Sequence, residues 1–302
     1  MSWRKRFDIA WRMLRPFTLT ASLVPTLVGT GLAVAQHHFR WGEFLAFLLA
    51  SVLIQSATNM FNEYFDYRRG LDSEEMVGIS GTIVRDGIRP NVVLATAWTL
   101  VCLAVLLGVY ICATTSWWVA LVGTACIAVA YLYSGGPKPL AYTPFGEIAA
   151  AASMGPTIVL LAYYIETGYI SPSAWAASVP IGLLIGLILL GNNIRDMDQD
   201  RAGGRHTVPI LMGRDRGRKL FAIVCALVYA LTLGFVVAGV LTPWALLVLL
   251  TIPSAVYVVR LFFRHTEPAK LHPAVKGTSI LLFRFGALMF AGLLAAAWFP
   301  LR

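Results

Sequence analysis

Long runs of apolar residues alternate with short polar segments along nearly the whole chain. Each run is close to the length that a helix needs to cross a hydrocarbon layer of roughly 30 Å. This pattern predicts nine transmembrane helices. The predicted spans cover residues 17–35, 44–62, 91–112, 116–134, 146–165, 174–194, 219–240, 243–262 and 279–298.

The composition agrees with that pattern, since 58% of the residues are hydrophobic and 13% are charged. Charged residues make up roughly a quarter of a soluble domain. We therefore expect an all-α polytopic membrane protein whose nine helices form a single bundle. We expect one domain over residues 1–302, with residues 1–16 as a cytoplasmic basic tail.

Basic residues concentrate in the N-terminal tail and in the loops after the second, fourth, sixth and eighth spans. They include Arg4, Lys5, Arg6, Arg12, Arg15, Arg68, Arg69, Arg85, Arg89, Lys138, Arg260, Arg264, Lys270, Lys276 and seven residues between Arg195 and Lys219. The opposite loops hold only Arg40 and Arg302. Cytoplasmic loops are enriched in Lys and Arg, so we predict a cytoplasmic N-terminus and an external C-terminus. Merging any two spans would break this pattern.

The net charge of +9 follows from the same loops. It is explained by topology and by attraction to anionic lipid headgroups. We expect no nucleic-acid binding, because the basic residues form no separate basic domain. The four cysteines lie in apolar spans without paired spacing, which argues against a zinc site or a disulfide framework.

Two acidic clusters follow the second and sixth spans, from Asn59 to Asp72 and from Asn192 to Asp200. Asn62 and Asp66 are four residues apart, as are Asn192, Asp196 and Asp200. Such spacing places each set on one face of a helix. Acids are costly at the membrane, so two matched acidic stripes indicate function.

Carboxylate and amide oxygens suit hard divalent cations, and Mg²⁺ is usually held by one or two carboxylates together with substrate phosphates. The two stripes could hold a diphosphate between them. Two other interpretations remain open. The acids could be solvated loop charges, or they could serve an ion-coupled secondary transporter. Transporter sites lie near the bilayer midplane, whereas these clusters lie at the cytoplasmic ends of their spans.

The sequence resembles the UbiA-type intramembrane aromatic prenyltransferases over nearly its whole length. Within them, the first cluster from Asn62 to Asp72 is most similar to that of the 1,4-dihydroxy-2-naphthoate prenyltransferases of menaquinone synthesis. The stretches Val77–Arg85, Gly135–Gly146 and Asn192–Thr207 support the narrower match. Glu63 departs from the family, which commonly has Asp there.

The resemblance implies transfer of a polyprenyl chain from its diphosphate to 1,4-dihydroxy-2-naphthoate, with loss of CO₂ and diphosphate and with Mg²⁺ as cofactor. The predicted metal ligands are Asn62, Asp66 and Asp72 for one ion and Asn192, Asp196 and Asp200 for the other. The four aspartates are also the predicted catalytic residues. We expect Asn62, Asn192, Arg195, Lys138, Tyr142 and Arg68 to contact substrate.

Several details stay open at this level. The acceptor could be another aromatic compound such as 4-hydroxybenzoate or homogentisate, and Asp72 or Glu63 could act as the base. Candidate aromatic faces for an allylic cation are Tyr64, Phe65, Tyr131, Tyr142 and Phe145, which could equally face lipid. Glycines in the spans could leave space for the tail or allow close helix packing. The absence of a transit-like N-terminus favours a bacterial plasma membrane, and the oligomeric state is unknown.

Overall fold

Helices are the only regular elements in residues 3–72 and 81–299, the part of the chain that the computed structural model describes. Residues 77–80 of the family-like stretch and Arg302 lie outside the described residues. The helices are α1 (Trp3–Leu14), α2 (Thr20–Ala35), α3 (Trp41–Arg68), α4 (Thr82–Asp86), α5 (Pro90–Thr114), α6 (Trp118–Leu132), α7 (Gly146–Met154), α8 (Pro156–Thr167), α9 (Pro172–Arg195), α10 (Met197–Ala202), α11 (Val208–Met212), α12 (Arg214–Val237), α13 (Ile252–Arg264) and α14 (Pro268–Trp298). Short 3₁₀ segments cover Leu140–Tyr142 and Pro243–Thr251.

Seven helices in the described residues are long and apolar enough to cross a membrane, if α7 counts with α8 and Pro243–Thr251 with α13. Two shorter apolar helices, α2 and α6, coincide with the other predicted spans. Helices suit a bilayer because they satisfy their backbone hydrogen bonds internally. The all-α membrane architecture is confirmed, whereas nine crossings and their orientation stay predictions.

The helix α9 forms the centre of the bundle. In its most apolar window 78% of the residues are buried, against 22% in both α5 and α12. The largest hydrophobic cluster joins α9 to α2, α12, α13 and α14. A helix that is apolar on all sides and packed by protein belongs in the interior, whereas α5 and α12 expose apolar side chains suited to lipid.

Glycines bring the helices around α9 into close contact. A Cβ added at Gly155 would lie 2.2 Å from the Cα of Gly182, and one at Gly29 would lie 2.3 Å from the carbonyl oxygen of Val159. Added Cβ atoms at Gly31 and Gly186 would also meet side chains, at 2.6 and 3.2 Å. Of the two roles expected for these glycines, the structure shows close packing.

Several elements differ in extent from the predicted spans. The span at 243–262 consists of a 3₁₀ segment, Pro243–Thr251, followed by α13, and α3 continues beyond residue 62 to Arg68. The span at 146–165 is divided into α7 and α8 at Gly155, where Pro156 starts a new helix. A proline has no backbone N–H to continue a helix, but it is well suited to the first turn. The last helix begins at Pro268, well before the predicted 279, because a helix can extend beyond its apolar part.

Candidate active site

A polar cavity of about 210 Å³ lies between the C-terminal ends of α3 and α9, the chain around α10 and the first turns of α14. The structure brings all six predicted metal ligands to this cavity. They are Asn62, Asp66, Asp72, Asn192, Asp196 and Asp200. The stripes on two helices far apart in sequence thus face one shared cavity.

The first stripe lies at the end of α3. The Nδ2 group of Asn62 donates a hydrogen bond to Ser134 Oγ at 3.1 Å, and its Oδ1 accepts one from Arg15 Nη1 at 3.4 Å. Asp66, one turn further on, is only 8% exposed. Asp72 follows the helix, and its Oδ2 is buried without a hydrogen-bond partner. An orphaned carboxylate oxygen in a cavity is a natural position for a cation.

The second stripe runs from the end of α9 into α10. Asp196 accepts two hydrogen bonds from its neighbour Arg195, at 2.7 Å from Nε and 2.5 Å from Nη2. The buried Asp200 lies one turn further along, in α10. Asn193, beside Asn192, donates instead to the buried Glu147 Oε1 at 2.9 Å, which joins α9 to α7.

Arg205 links the two stripes. Its Nη2 group donates to Asp66 Oδ1 at 2.7 Å, and its Nη1 group donates to Asp200 Oδ1 at 3.0 Å. Burial alone lowers the pKa of Arg205, but the two carboxylates raise it above its ordinary value. The guanidinium group therefore stays charged between the two motifs. From the sequence, Arg205 is a candidate donor to the departing diphosphate, although a topological role in its basic loop explains it equally well.

Two acids of the cavity, Asp72 and Asp200, have raised pKa values, mainly because they are buried. Burial, reinforced by Asp66 and Glu63, raises the pKa of Asp72 to about 7. Burial also raises the pKa of Asp200 to about 6, with Arg205 opposing this shift and Asp196 and Asp66 adding to it. Crowded carboxylates with raised pKa values gain from a bound cation, because a positive charge favours their ionised form.

Glu63 forms hydrogen bonds that connect two helices. This side chain is 2% exposed, and its Oε1 accepts hydrogen bonds from Thr82 Oγ1 at 2.5 Å and from the Ile83 backbone N–H at 3.0 Å. Glu63 thereby ties α4 to α3, outside the residues that line the polar cavity. A carboxylate engaged in this way is poorly placed as a metal ligand or a base.

The remaining predicted substrate contacts divide into two groups. Arg195 lines the polar cavity, and Tyr142 lies beside it with its ring 5.2 Å from the Arg205 guanidinium carbon. Tyr142 also stacks on Arg69, at 5.1 Å. Arg68 and Lys138 are exposed and do not line the cavity. Both remain predictions as substrate contacts.

Sequence reasoning missed several residues that line the polar cavity. They are Arg15, Tyr133, His272 and Lys276. Arg205, which also lines the cavity, was a candidate donor to the diphosphate but was left out of the predicted site. Arg15 belongs to the basic tail, and His272 and Lys276 belong to a predicted loop that is in fact the start of α14. Their polar character was visible in the sequence, but no spacing rule connects them to the acidic stripes.

An apolar cavity of about 380 Å³ adjoins the polar one. The residues that line both cavities, at their junction, are Arg15, Thr18, Asn62, Tyr133, Ile188, Leu189 and Asn192. Further in, side chains of α3, α5 and α6 line the apolar cavity, with Gly108 and Gly123 leaving open space. Tyr64, Phe65, Tyr131 and Phe145 line neither cavity. An anionic group at the polar end could therefore extend a hydrocarbon chain into the apolar end.

No three Asp, Glu, His or Cys side chains in residues 3–72 and 81–299 are already grouped as a metal-binding site. The arginines explain this arrangement, because Arg205 engages Asp66 and Asp200 and Arg195 engages Asp196. The donor set itself fits a hard divalent cation: carboxylate and amide oxygens, with one buried carboxylate oxygen unpartnered.

Comparison with known proteins agrees with the fold and the motifs. The model of the UbiA prenyltransferase family matches residues 22–285, so the chain belongs to this family. It is 45% identical to the 1,4-dihydroxy-2-naphthoate octaprenyltransferase of Bacillus subtilis, over 95% of this chain and 92% of that protein. It is 31% identical to the enzyme of the same name from Mycobacterium tuberculosis, over 93% and 94%.

Solved structures share the fold at lower sequence identity. A UbiA homolog from Aeropyrum pernix superimposes with a TM-score of 0.69 at 17% identity, over 90% of this chain and 97% of that one. A UbiA homolog from Archaeoglobus fulgidus bound to DMAPP and Mg²⁺ gives 0.66 at 18% identity, over 94% and 98%. These likenesses establish the helical architecture as that of the family.

Proposed function

We propose that this protein transfers a polyprenyl group from polyprenyl diphosphate to 1,4-dihydroxy-2-naphthoate, with release of diphosphate and CO₂. The observation that carries the proposal is the continuity of the two cavities. A cavity with two acidic motifs suits a diphosphate and its counter-ions, and the adjoining apolar cavity suits a polyprenyl tail. Similarity to naphthoate octaprenyltransferases over nearly the whole chain supports this acceptor.

Mg²⁺ is the proposed cofactor. Asn62, Asp66 and Asp72 on one side and Asn192, Asp196 and Asp200 on the other would hold it. When bound, the metal would act as a Lewis acid that neutralises the charge of the leaving diphosphate. The carboxylates themselves repel a diphosphate, so they would hold it in the polar cavity only through the bound metal.

Three arginines complete the diphosphate site. Arg205 lies between Asp66 and Asp200, Arg195 lies against Asp196, and Arg15 lies at the junction of the two cavities. Guanidinium groups bind phosphate oxygens through charge-assisted, often bidentate hydrogen bonds. Positive charge at these three positions stabilises the diphosphate as the bond to the allylic carbon breaks.

The allylic carbon would lie at the junction of the cavities, where Tyr133 contributes to both linings. An aromatic face stabilises a nearby cation by about 0.5–2 kcal/mol, more when water is excluded. The acceptor ring attacks this carbon and then loses its carboxyl group as CO₂. With Glu63 held by Thr82 and Ile83, Asp72 is the better placed of the two acids expected as the base.

A competition assay tests the acceptor. The full-length protein in detergent or lipid would receive Mg²⁺, a polyprenyl diphosphate and equal amounts of 1,4-dihydroxy-2-naphthoate, 4-hydroxybenzoate and homogentisate. Mass spectrometry should find the decarboxylated prenyl naphthalene as the main product. A product formed mainly from another aromatic acceptor would support prenyl transfer but contradict the naphthoate as acceptor. Efficient use of all three compounds would contradict a specific preference for the naphthoate.

We further propose that residues 1–302 form one domain with nine crossings, a cytoplasmic N-terminus and an external C-terminus in a bacterial plasma membrane. The alternation of basic loops supports this orientation. It places the polar cavity at the cytoplasmic face, where soluble diphosphate can leave. Membership of a prenyltransferase family argues against the transporter interpretation.

A further inference from the structure

The polar cavity has two chemically different sides. Its acids all come from α3, from the residues just after it, and from the α9–α10 region. The first turns of α14 form another side and contribute no acid. Their cavity-lining residues are His272, Val275, Lys276 and Ser279. The spacing of three and four residues places all of them on one helical face.

The cations of the cavity differ in what they bind. Arg205 is engaged by Asp66 and Asp200, and Arg195 is engaged by Asp196. Lys276, by contrast, has no carboxylate partner among the residues that the structure describes. Its Nζ atom lies 4.7 Å from the centroid of the Phe17 ring. The ammonium group is therefore available to an anion in the cavity.

His272 lies one turn before Lys276 and is oriented by a neighbour. Its Nδ1 atom is 3.3 Å from Arg195 Nη1. A guanidinium group can only donate, so Nδ1 acts as the acceptor. The neutral ring then carries its proton on Nε2, which leaves a second donor on the same helical face as the ammonium group of Lys276.

Resting on the function proposed above, we propose that Lys276 and His272 bind the carboxylate of the aromatic acceptor and set the preference for a carboxylated ring. Both substrates are anions, but they need different surroundings. A diphosphate enters the acidic side together with divalent cations. A single carboxylate brings no such cation and would be repelled by Asp66, Asp196 and Asp200. Of the cations without a carboxylate partner, Arg15 donates to Asn62 Oδ1 at the junction with the apolar cavity and is assigned above to the diphosphate. We therefore assign the carboxylate to the basic side on α14.

The test compares two acceptors that differ only in this group, 1,4-dihydroxy-2-naphthoate and 1,4-dihydroxynaphthalene. In Lys276→Met, kcat/KM for the naphthoate should fall about tenfold or more, mainly through KM, because a charged hydrogen-bond partner is lost. The value for the diol and the KM for polyprenyl diphosphate should stay within about twofold of wild type. Lys276→Arg should restore most of the preference, and His272→Phe should weaken it in the same direction.

Lys270→Met is the matched control. Lys270 lies on the same helix but pairs with Glu267 at 3.0 Å and does not line the cavity. The Lys270→Met variant loses the same charge as Lys276→Met, but its preference between the two acceptors should equal that of wild type. An equal loss with both acceptors in Lys276→Met, or a raised KM for polyprenyl diphosphate, would assign Lys276 to packing or to the diphosphate and overturn the inference.

The outcomes separate this inference from the proposed function. Wild-type protein that prenylates neither naphthalene acceptor would contradict both. Wild-type protein that prefers the naphthoate, together with a Lys276→Met variant that keeps the same preference, would contradict the inference alone. A wild type that uses the naphthoate and the diol equally would also contradict it, since no carboxylate site would then be needed.

Discussion

Asp66 and Asp196 occupy corresponding places at the ends of α3 and α9, and each contacts an arginine, Arg205 for Asp66 and Arg195 for Asp196. The paired charges explain how acids persist at this depth in an apolar bundle, because an unpaired buried charge is costly. The cavity therefore holds both kinds of charge. In the proposed site, the arginines would bind phosphate oxygens and the carboxylates would bind the accompanying cations.

Replacing either aspartate should stop catalysis without unfolding the protein. Asp66→Ala or Asp196→Ala is expected to lower the transfer rate at least about 100-fold, because a group that stabilises charge at the leaving diphosphate is lost. Prenyl transfer measured by product mass, together with size-exclusion chromatography for folding, would check this result.

Asp198→Ala provides the matched control for these variants. Asp198 lies in the second acidic cluster, but its side chain is 73% exposed and pairs with Arg214 at 2.7 Å. An exposed ion pair contributes about 1 kcal/mol at most. Activity should therefore stay within about twofold of wild type. Normal activity in Asp66→Ala or Asp196→Ala would exclude the two-motif site.

At the residue scale, periodicity predicted the acids and amides of the cavity but not their basic partners. Asn62 and Asp66 are four residues apart, as are Asn192 and Asp196, and a helix places residues with this spacing on one face. Arg195 is next to Asp196 in the sequence, but Arg15, Arg205 and Lys276 lie in other parts of the chain. Tertiary packing brings them to the acids. In the sequence they do not stand out as functional, because cytoplasmic loops and tails are enriched in Lys and Arg in any case.

At the scale of elements, apolar length predicted where helices lie better than where they begin. The start of α14 was predicted as a loop because it contains Lys270, His272 and Lys276. The helix nevertheless begins at Pro268, and its polar first turns contribute to the cavity. A hydropathy pattern detects the part of a helix that meets lipid, whereas the chemistry lies in the part beyond it.

The packing of α7 and α8 against α9 depends on Gly155. An added Cβ would lie 2.2 Å from the Cα of Gly182 and 2.7 Å from the carbonyl oxygen of Ala151. Backbone atoms cannot move aside as a side chain can, so Gly155→Ala should destabilise the fold by about 1–3 kcal/mol. Thermal unfolding in detergent would show a lower midpoint.

Gly234→Ala tests whether that effect comes from packing. Gly234 lies exposed within α12, and an added Cβ would meet nothing within 4 Å. Alanine is preferred over glycine in a helix by about 1 kcal/mol in water. The midpoint should therefore stay the same or rise slightly. Equal midpoints for Gly155→Ala and Gly234→Ala would contradict the close approach of α7, α8 and α9.

For the whole molecule, the proposed orientation places Ala202 in the cytoplasm and Ala238 outside. Both residues are exposed in the structure; Ala202 ends α10, before α12 begins, and Ala238 directly follows the end of α12. In a background without the native cysteines, a membrane-impermeant maleimide added to intact cells should label Ala238→Cys. It should label Ala202→Cys only after permeabilisation. The reverse pattern would invert the topology and move the polar cavity to the outer face.

The central claim is that two acidic motifs hold a divalent cation and a diphosphate in one cavity, and that this arrangement drives prenyl transfer to a naphthoate. The most direct test is product formation by the purified protein from polyprenyl diphosphate and 1,4-dihydroxy-2-naphthoate, with and without a chelator. We expect the decarboxylated prenyl product with Mg²⁺, its loss with the chelator and its return when excess Mg²⁺ is added. Undiminished product in the chelator would contradict the metal site, and no product under any of these conditions would contradict the proposed reaction.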